Sequence, residues 1–180
     1  MWTLGFIGNL LRARSLYDSA RNRGHLALCH WDTLRKLSSE LVDTKLSKMV
    51  PKEARERLEW HREQGHRLVL VTATVMPMAQ AMAEDLKMDA VYGCGPKEMN
   101  GIMSGSERGW SVPRRKGKVP IVQEDAESVG HDLSDCWGYG NTYADSFFMS
   151  ITGNPVAVNA EGGLKPLAKE KDWTQFEWRV

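Results

Sequence analysis

The chain has 180 residues, enough for one substantial hydrophobic core and at most a small second domain. Its 24 basic residues balance 23 acidic ones, which excludes a general affinity for polyanions such as nucleic acid and leaves only a local basic site open. Cys29, Cys94 and Cys136 form no CxxC, which argues against a zinc ribbon or disulfide framework and for the cytoplasm, and no apolar run approaches the roughly 20 residues of a membrane span.

Over residues 10–48, Leu34, Leu37, Leu41 and Leu46 recur among charges in a helical pattern, and Asp32 is placed to cap a segment starting at Thr33. Pro51 opens a further helix, PKEARERLEWHREQG, acidic early and stopped by Gly65. The spacing of His61 and His66 is not that of a metal grip, and both read as surface residues. An apolar run with β-branched valines predicts a strand over 67–72, then come a helix over 78–87 and a short strand over 89–91. A Gly- and Met-rich stretch leads to the basic segment RRKGKV at 114–119. Beyond it the pattern predicts a helix over 119–129, a strand over 135–139, a short helix over 146–151 and a strand over 155–159. Such alternation implies an α/β fold, a doubly wound parallel sheet flanked by helices.

Ligands of open parallel sheets bind beyond the carboxyl ends of the strands, so the residues following each apolar run are the candidates. Thr72 and Thr74 offer a hydroxyl and backbone N–H groups to an anion, and a helix-capping threonine without ligand would look the same. Among the basic residues 114–118, Lys116 and Lys118 precede a helix and can reach inward as compact cations, while charge runs of this kind are commonly solvated faces. In the turn GNTYAD, Asn141 and Asp145 offer hard oxygens to magnesium, which takes few ligands from protein. For Asp145 the competing reading is a carboxylate favoured by a helix N-terminus.

LVLVTAT at 68–74, RRKGKV at 114–119 and the segment WGYGNTYADSFFMSITGNPVAVNAEGGLKPLAKEKDW at 137–173 together resemble the last three of the four motifs of haloacid-dehalogenase-type phosphatases. The subfamily is the one related to phosphoserine phosphatase. The resemblance implies a helical cap remnant over 1–50 and an α/β core over 51–180. It implies a catalytic, phosphate-holding role for Thr72 and Lys118, with Ala73 also on the phosphate, and Lys116 as the fallback lysine. It gives Asn141 and Asp145 to Mg2+, with Asn141 where the family usually has aspartate, and makes the EMNGIMSG stretch around Gly101 a two-stranded flap. A small phosphorylated metabolite is the implied partner.

The first motif, Asp-x-Asp-x-Thr, does not occur in the chain. Either LGFIGNLL is a degenerate copy, with Gly5 and Ile7 in the places of the aspartates, or residues 2–11 belong to the cap and the family's central strand is absent. The expected function is therefore magnesium-dependent phosphomonoester hydrolysis as inherited chemistry, in a chain truncated and inactive as it stands. A catalytically dead phosphate-binding or regulatory protein is the alternative, and a structural domain without ligand is the third reading.

Overall fold

The computed structural model describes residues 26, 28–95, 98–103 and 113–179. The readings placed on residues 2–11 lie outside them. Of the described residues, 26–50 and 58–103 fall in one compact unit, and 51–57 and 113–179 in a second.

In the first unit, helix α1 (Trp31–Leu41) starts from His30 as N-cap, with Asp32 in its first turn where a carboxylate meets the positive helix end. Asp32 is therefore not the cap expected from the sequence. The helix continues through a π-helical turn, Val42–Leu46, and a 3-10 turn, Ser47–Met49. Val50 then turns extended, as the residue before a proline must when Pro51 follows. Val42 is buried, and the Ser47 hydroxyl donates to Asp85 Oδ1 at 2.8 Å.

Helix α2 (Lys52–Glu63) begins among the residues of the second unit and continues into the first. It ends as expected at Gly65, whose φ of +73° suits a residue without Cβ. There the amides of Gly65 and His66 donate to the Arg62 and His61 carbonyls. That turn brings His66 back beside His61, with Nδ1 to Nδ1 at 2.8 Å, and Trp60 packs edge-on against both rings. His61 is consequently buried, which corrects the surface reading.

Strand β1 (Val69–Val75) crosses through helix α3 (Met76–Asp85) to strand β2 (Ala90–Cys94), and the two strands pair in parallel. β1 runs beyond Thr72, where the sequence pattern ended it, because pairing resumes at Val75 with Cys94 after an irregularity. Gly93 is required for this closeness: a Cβ there would lie 3.0 Å from Ala79 Cβ and 3.0 Å from Met76 Cα. Helix α3 buries Ala79, Ala81 and Ala83, small residues that let it lie close to the strands. The Gly101 segment forms a hairpin, β3 (Glu98–Met99) with β4 (Ile102–Met103), in line with the flap expectation. Asn100 and Gly101, at φ +53° and +80°, supply the left-handed pair that a tight two-residue turn needs.

In the second unit, helix α4 (Lys118–Val129) ends at Gly130 in the left-handed conformation. Strands β5 (Trp137–Gly140), β6 (Asn154–Val158) and β7 (Thr174–Phe176) make a parallel sheet in that order. Helix α5 (Ser146–Met149) joins β5 to β6, and helix α6 (Leu164–Glu170) joins β6 to β7. β5 starts two residues later than the pattern predicts, because Asp132 accepts from the Ser134 amide and folds 133–135 into a 3-10 turn. The core is Met149, Ala157, Leu164 and Ala168, fully buried, with Phe148 and Trp173 against it. Asn159 bonds Trp178 through both ends of its amide, which ties the segment after β7 to the end of β6. Arg57, midway along α2, donates to the Tyr139 hydroxyl at 2.6 Å and lies over the Tyr139 and Phe176 rings. Burial pushes the Tyr139 phenol above its usual range, against the pull of Arg57. Among the described residues, the parallel strands thus form two separate hydrogen-bonded sheets.

Candidate anion-binding site

Lys118 is the first residue of α4, delivered by the 3-10 turn Arg115–Gly117. Its ammonium lies 2.8 Å from Asp145 Oδ1, with side-chain exposures of 15% and 12%, so the pair is largely withdrawn from water. The ammonium also lies over the Phe148 ring, 5.2 Å from its centroid. Asp145 closes the turn that follows β5, and its amide donates to the Thr142 carbonyl at 2.9 Å. Its other oxygen, Oδ2, accepts from the Thr142 amide at 3.3 Å and the Thr142 hydroxyl at 3.0 Å. Burial by itself raises the Asp145 pKa, but the Lys118 ammonium and the two Thr142 donors outweigh it and hold the carboxyl below its ordinary value of 3.8.

The turn can close this tightly only on glycine. A Cβ at Gly140 would stand 2.4 Å from Asp145 Cβ and 2.7 Å from Met149 Sδ. Asn141 is exposed at the head of the turn, and its carbonyl accepts the Glu161 amide at 2.8 Å, joining the turn to the loop after β6. Lys116 is exposed, with its ammonium 5.7 Å from the Phe147 centroid. The second unit thus brings Lys118 and Asp145 together, places Asn141 in the same turn and sets Lys116 on the neighbouring ring.

Thr72 and Ala73 belong to the first unit. The Thr72 hydroxyl accepts the Thr74 amide at 3.1 Å and donates to Thr74 Oγ1 at 3.0 Å, and the Ala73 carbonyl accepts from the Cys94 thiol. The helix cap is Val75, so Thr72 sits within the irregular end of β1 and does not cap α3. Sequence reasoning missed Thr142. A hydroxyl residue three positions before a turn carboxylate is the local signal that could have found it.

Chemically, an ammonium has three donors, and Asp145 takes one; the carboxylate aims the lysine, and among the described residues the other donors are left for an anion. Among the described residues, no group of three or more His, Cys, Asp or Glu side chains is placed to hold a metal, and no helix is long and apolar enough to cross a membrane.

A family model described as haloacid dehalogenase-like hydrolase matches residues 10–149. Phosphoserine phosphatase SerB1 of Mycobacterium tuberculosis (strain ATCC 25618 / H37Rv) is 28% identical over 144 residues, covering 80% of this chain and 46% of its own length. The chain spans about half the length of the curated relatives it matches. A crystal structure of a protein of unknown function from Bordetella pertussis Tohama I superposes with a TM-score of 0.77 at 19% identity, over 97% of this chain and 89% of that one. A phospho-aspartyl intermediate analogue of phosphoserine phosphatase superposes with a TM-score of 0.60 at 20% identity, over 88% and 70% of the two chains.

Proposed function

The chain belongs to the haloacid dehalogenase-like hydrolase family, and on that premise we propose that it binds the phosphate group of a small phosphorylated metabolite through Lys118. The observation that carries this reading is the desolvated Lys118–Asp145 pair at the head of α4. Magnesium-dependent phosphomonoester hydrolysis is the chemistry the scaffold inherits. Asp145 positions Lys118, and the ammonium neutralises the anion. Thr72 and Ala73 keep the phosphate-holding role as a proposal that rests on the motif alone.

The donor set fits magnesium sparingly. Asp145 Oδ2 accepts twice from Thr142, but among the described residues Oδ1 accepts only Lys118 and keeps a lone pair, and the exposed Asn141 amide adds a neutral oxygen. Those two residues would hold the ion, with water and phosphate completing the coordination. When bound, magnesium supplies positive charge to the phosphoryl oxygens. A cytoplasmic location belongs to the same proposal, supported by Cys29, Cys94 and Cys136 forming no disulfide among the described residues.

Binding without turnover is favoured by one observation, that no Asp-x-Asp-x-Thr occurs in the chain to supply a nucleophile and its acid/base partner. Hydrolysis of p-nitrophenyl phosphate is accordingly expected to be negligible, and robust magnesium-dependent turnover would contradict this. Binding is tested by calorimetric titration of inorganic phosphate with and without magnesium. Millimolar affinity is expected in the parent, with a loss of roughly tenfold or more in Lys118→Ala, as charge-assisted bonds of ~1.5–3 kcal/mol require. Asn141→Asp should strengthen the magnesium-dependent part. Phosphate affinity that ignores Lys118→Ala would overturn the reading.

A further inference from the structure

We propose that Tyr143 selects planar aromatic phosphate monoesters at the Lys118 site, an inference that rests on the phosphate-binding reading above. Tyr143 stands in the turn between Asn141 and Asp145 and is 50% exposed. An exposed aromatic ring by itself signifies little. This one is held in place from several directions. Its carbonyl accepts the Ser146 amide at 3.3 Å and the Ser146 hydroxyl at 2.8 Å, which fixes the backbone that carries it. Its ring meets the Phe147 ring edge-on, at 5.9 Å between centroids and 76° between planes. The chain at Gly163 lies directly against it: a Cβ there would stand 3.3 Å from Tyr143 Cδ2 and 3.6 Å from Cγ.

The turn that carries this ring also carries Asp145, and through Asp145 it is joined to Lys118. With its phosphate on the ammonium, the ligand would place its alcohol portion on this ring, which stands two residues from Asp145 in the same turn. Stacking on such a ring sacrifices little side-chain freedom, so the gain from an aromatic ligand is kept almost whole. Lys116, with its ammonium over the Phe147 ring, adds a second cation to the same surface and favours an anionic partner. The chemistry recognised is a dianionic phosphate attached to a flat ring, as in an aryl or heteroaryl phosphate.

The test is calorimetric titration of the full chain with inorganic phosphate, phenyl phosphate and cyclohexyl phosphate, the last matching the ring in size and charge without being planar. Phenyl phosphate is expected to bind roughly three- to tenfold more tightly than cyclohexyl phosphate. Tyr143→Phe should keep that ratio, and Tyr143→Ala should bring it to about one. Equal affinities in the parent, or a preference that survives Tyr143→Ala, would overturn the inference and leave phosphate binding standing. No binding of inorganic phosphate would remove both readings.

Discussion

Gly153→Ala is expected to destabilise the second unit by about 3 kcal/mol or more, enough to threaten its folding. The methyl group would arrive 1.6 Å from the Ser134 carbonyl oxygen and 2.5 Å from its carbon, and both are backbone atoms that cannot rotate away. The approach is fixed by the Gly153 amide, which donates to the Leu133 carbonyl at 2.8 Å, and by the adjacent Asn154 amide, which donates to Cys136 at 3.0 Å. Relieving the clash means parting these segments, at the cost of bonds that lead directly into the β5–β6 pairing. Gly162→Ala provides the comparison: no neighbouring atom lies within 4 Å, and only the φ of +50° is strained, so a loss of about 1 kcal/mol is expected. Urea unfolding measures both, and a Gly153→Ala midpoint close to the parent's would contradict so close an approach of Gly153 to Ser134.

Lys118→Met should cost roughly 3 kcal/mol at neutral pH, because it keeps an unbranched side chain of similar length and removes the charge that compensates Asp145. The pH dependence identifies the cause. In the parent, the folded Asp145 carboxyl lies below its ordinary value of 3.8, so its stabilising contribution is present above that value and is lost as pH falls through the lower folded one. In the variant, burial is opposed only by Thr142, so the ionised carboxylate is less favoured than in the parent. The stability gap between parent and variant is therefore expected to be wide at pH 7 and to close toward pH 3. Thermal unfolding at both values checks this, with a deficit of several degrees at pH 7. A deficit independent of pH would mean that packing, not charge, was lost.

Features specified by local chemistry were legible in the sequence. Gly65 ends its helix because the left-handed backbone there favours a residue without Cβ, and α4 begins at Lys118, one residue from the expected start. The haloacid-dehalogenase-type family was legible from motif order, and the α/β architecture from the strand–helix alternation. Features decided by partners distant in sequence were not. β1 extends to Val75 because Cys94 pairs there, and His61 is buried because the Gly65 turn folds His66 onto it. Helix α6, short and with Pro166 in its first turn, and strand β7, only TQF, have little pattern of their own; β7 is made regular by pairing with β6, and the Asn159 clamp holds the segment after it. In the candidate site, Lys118, Asn141 and Asp145 stood out as residue types suited to phosphate and metal. The parts of Thr142 and Tyr143 depend on turn geometry that no residue type announces.

The most direct measurement is a crystal of the full chain soaked in tungstate, a heavy analogue of phosphate whose anomalous scattering locates it without ambiguity. The predicted result is a tungstate peak within hydrogen-bond reach of Lys118 Nζ, absent from Lys118→Ala crystals soaked in the same way. Tungstate bound only at other positions, or a peak that persists beside α4 after the lysine is removed, would contradict the assignment of Lys118 as the residue that receives phosphate.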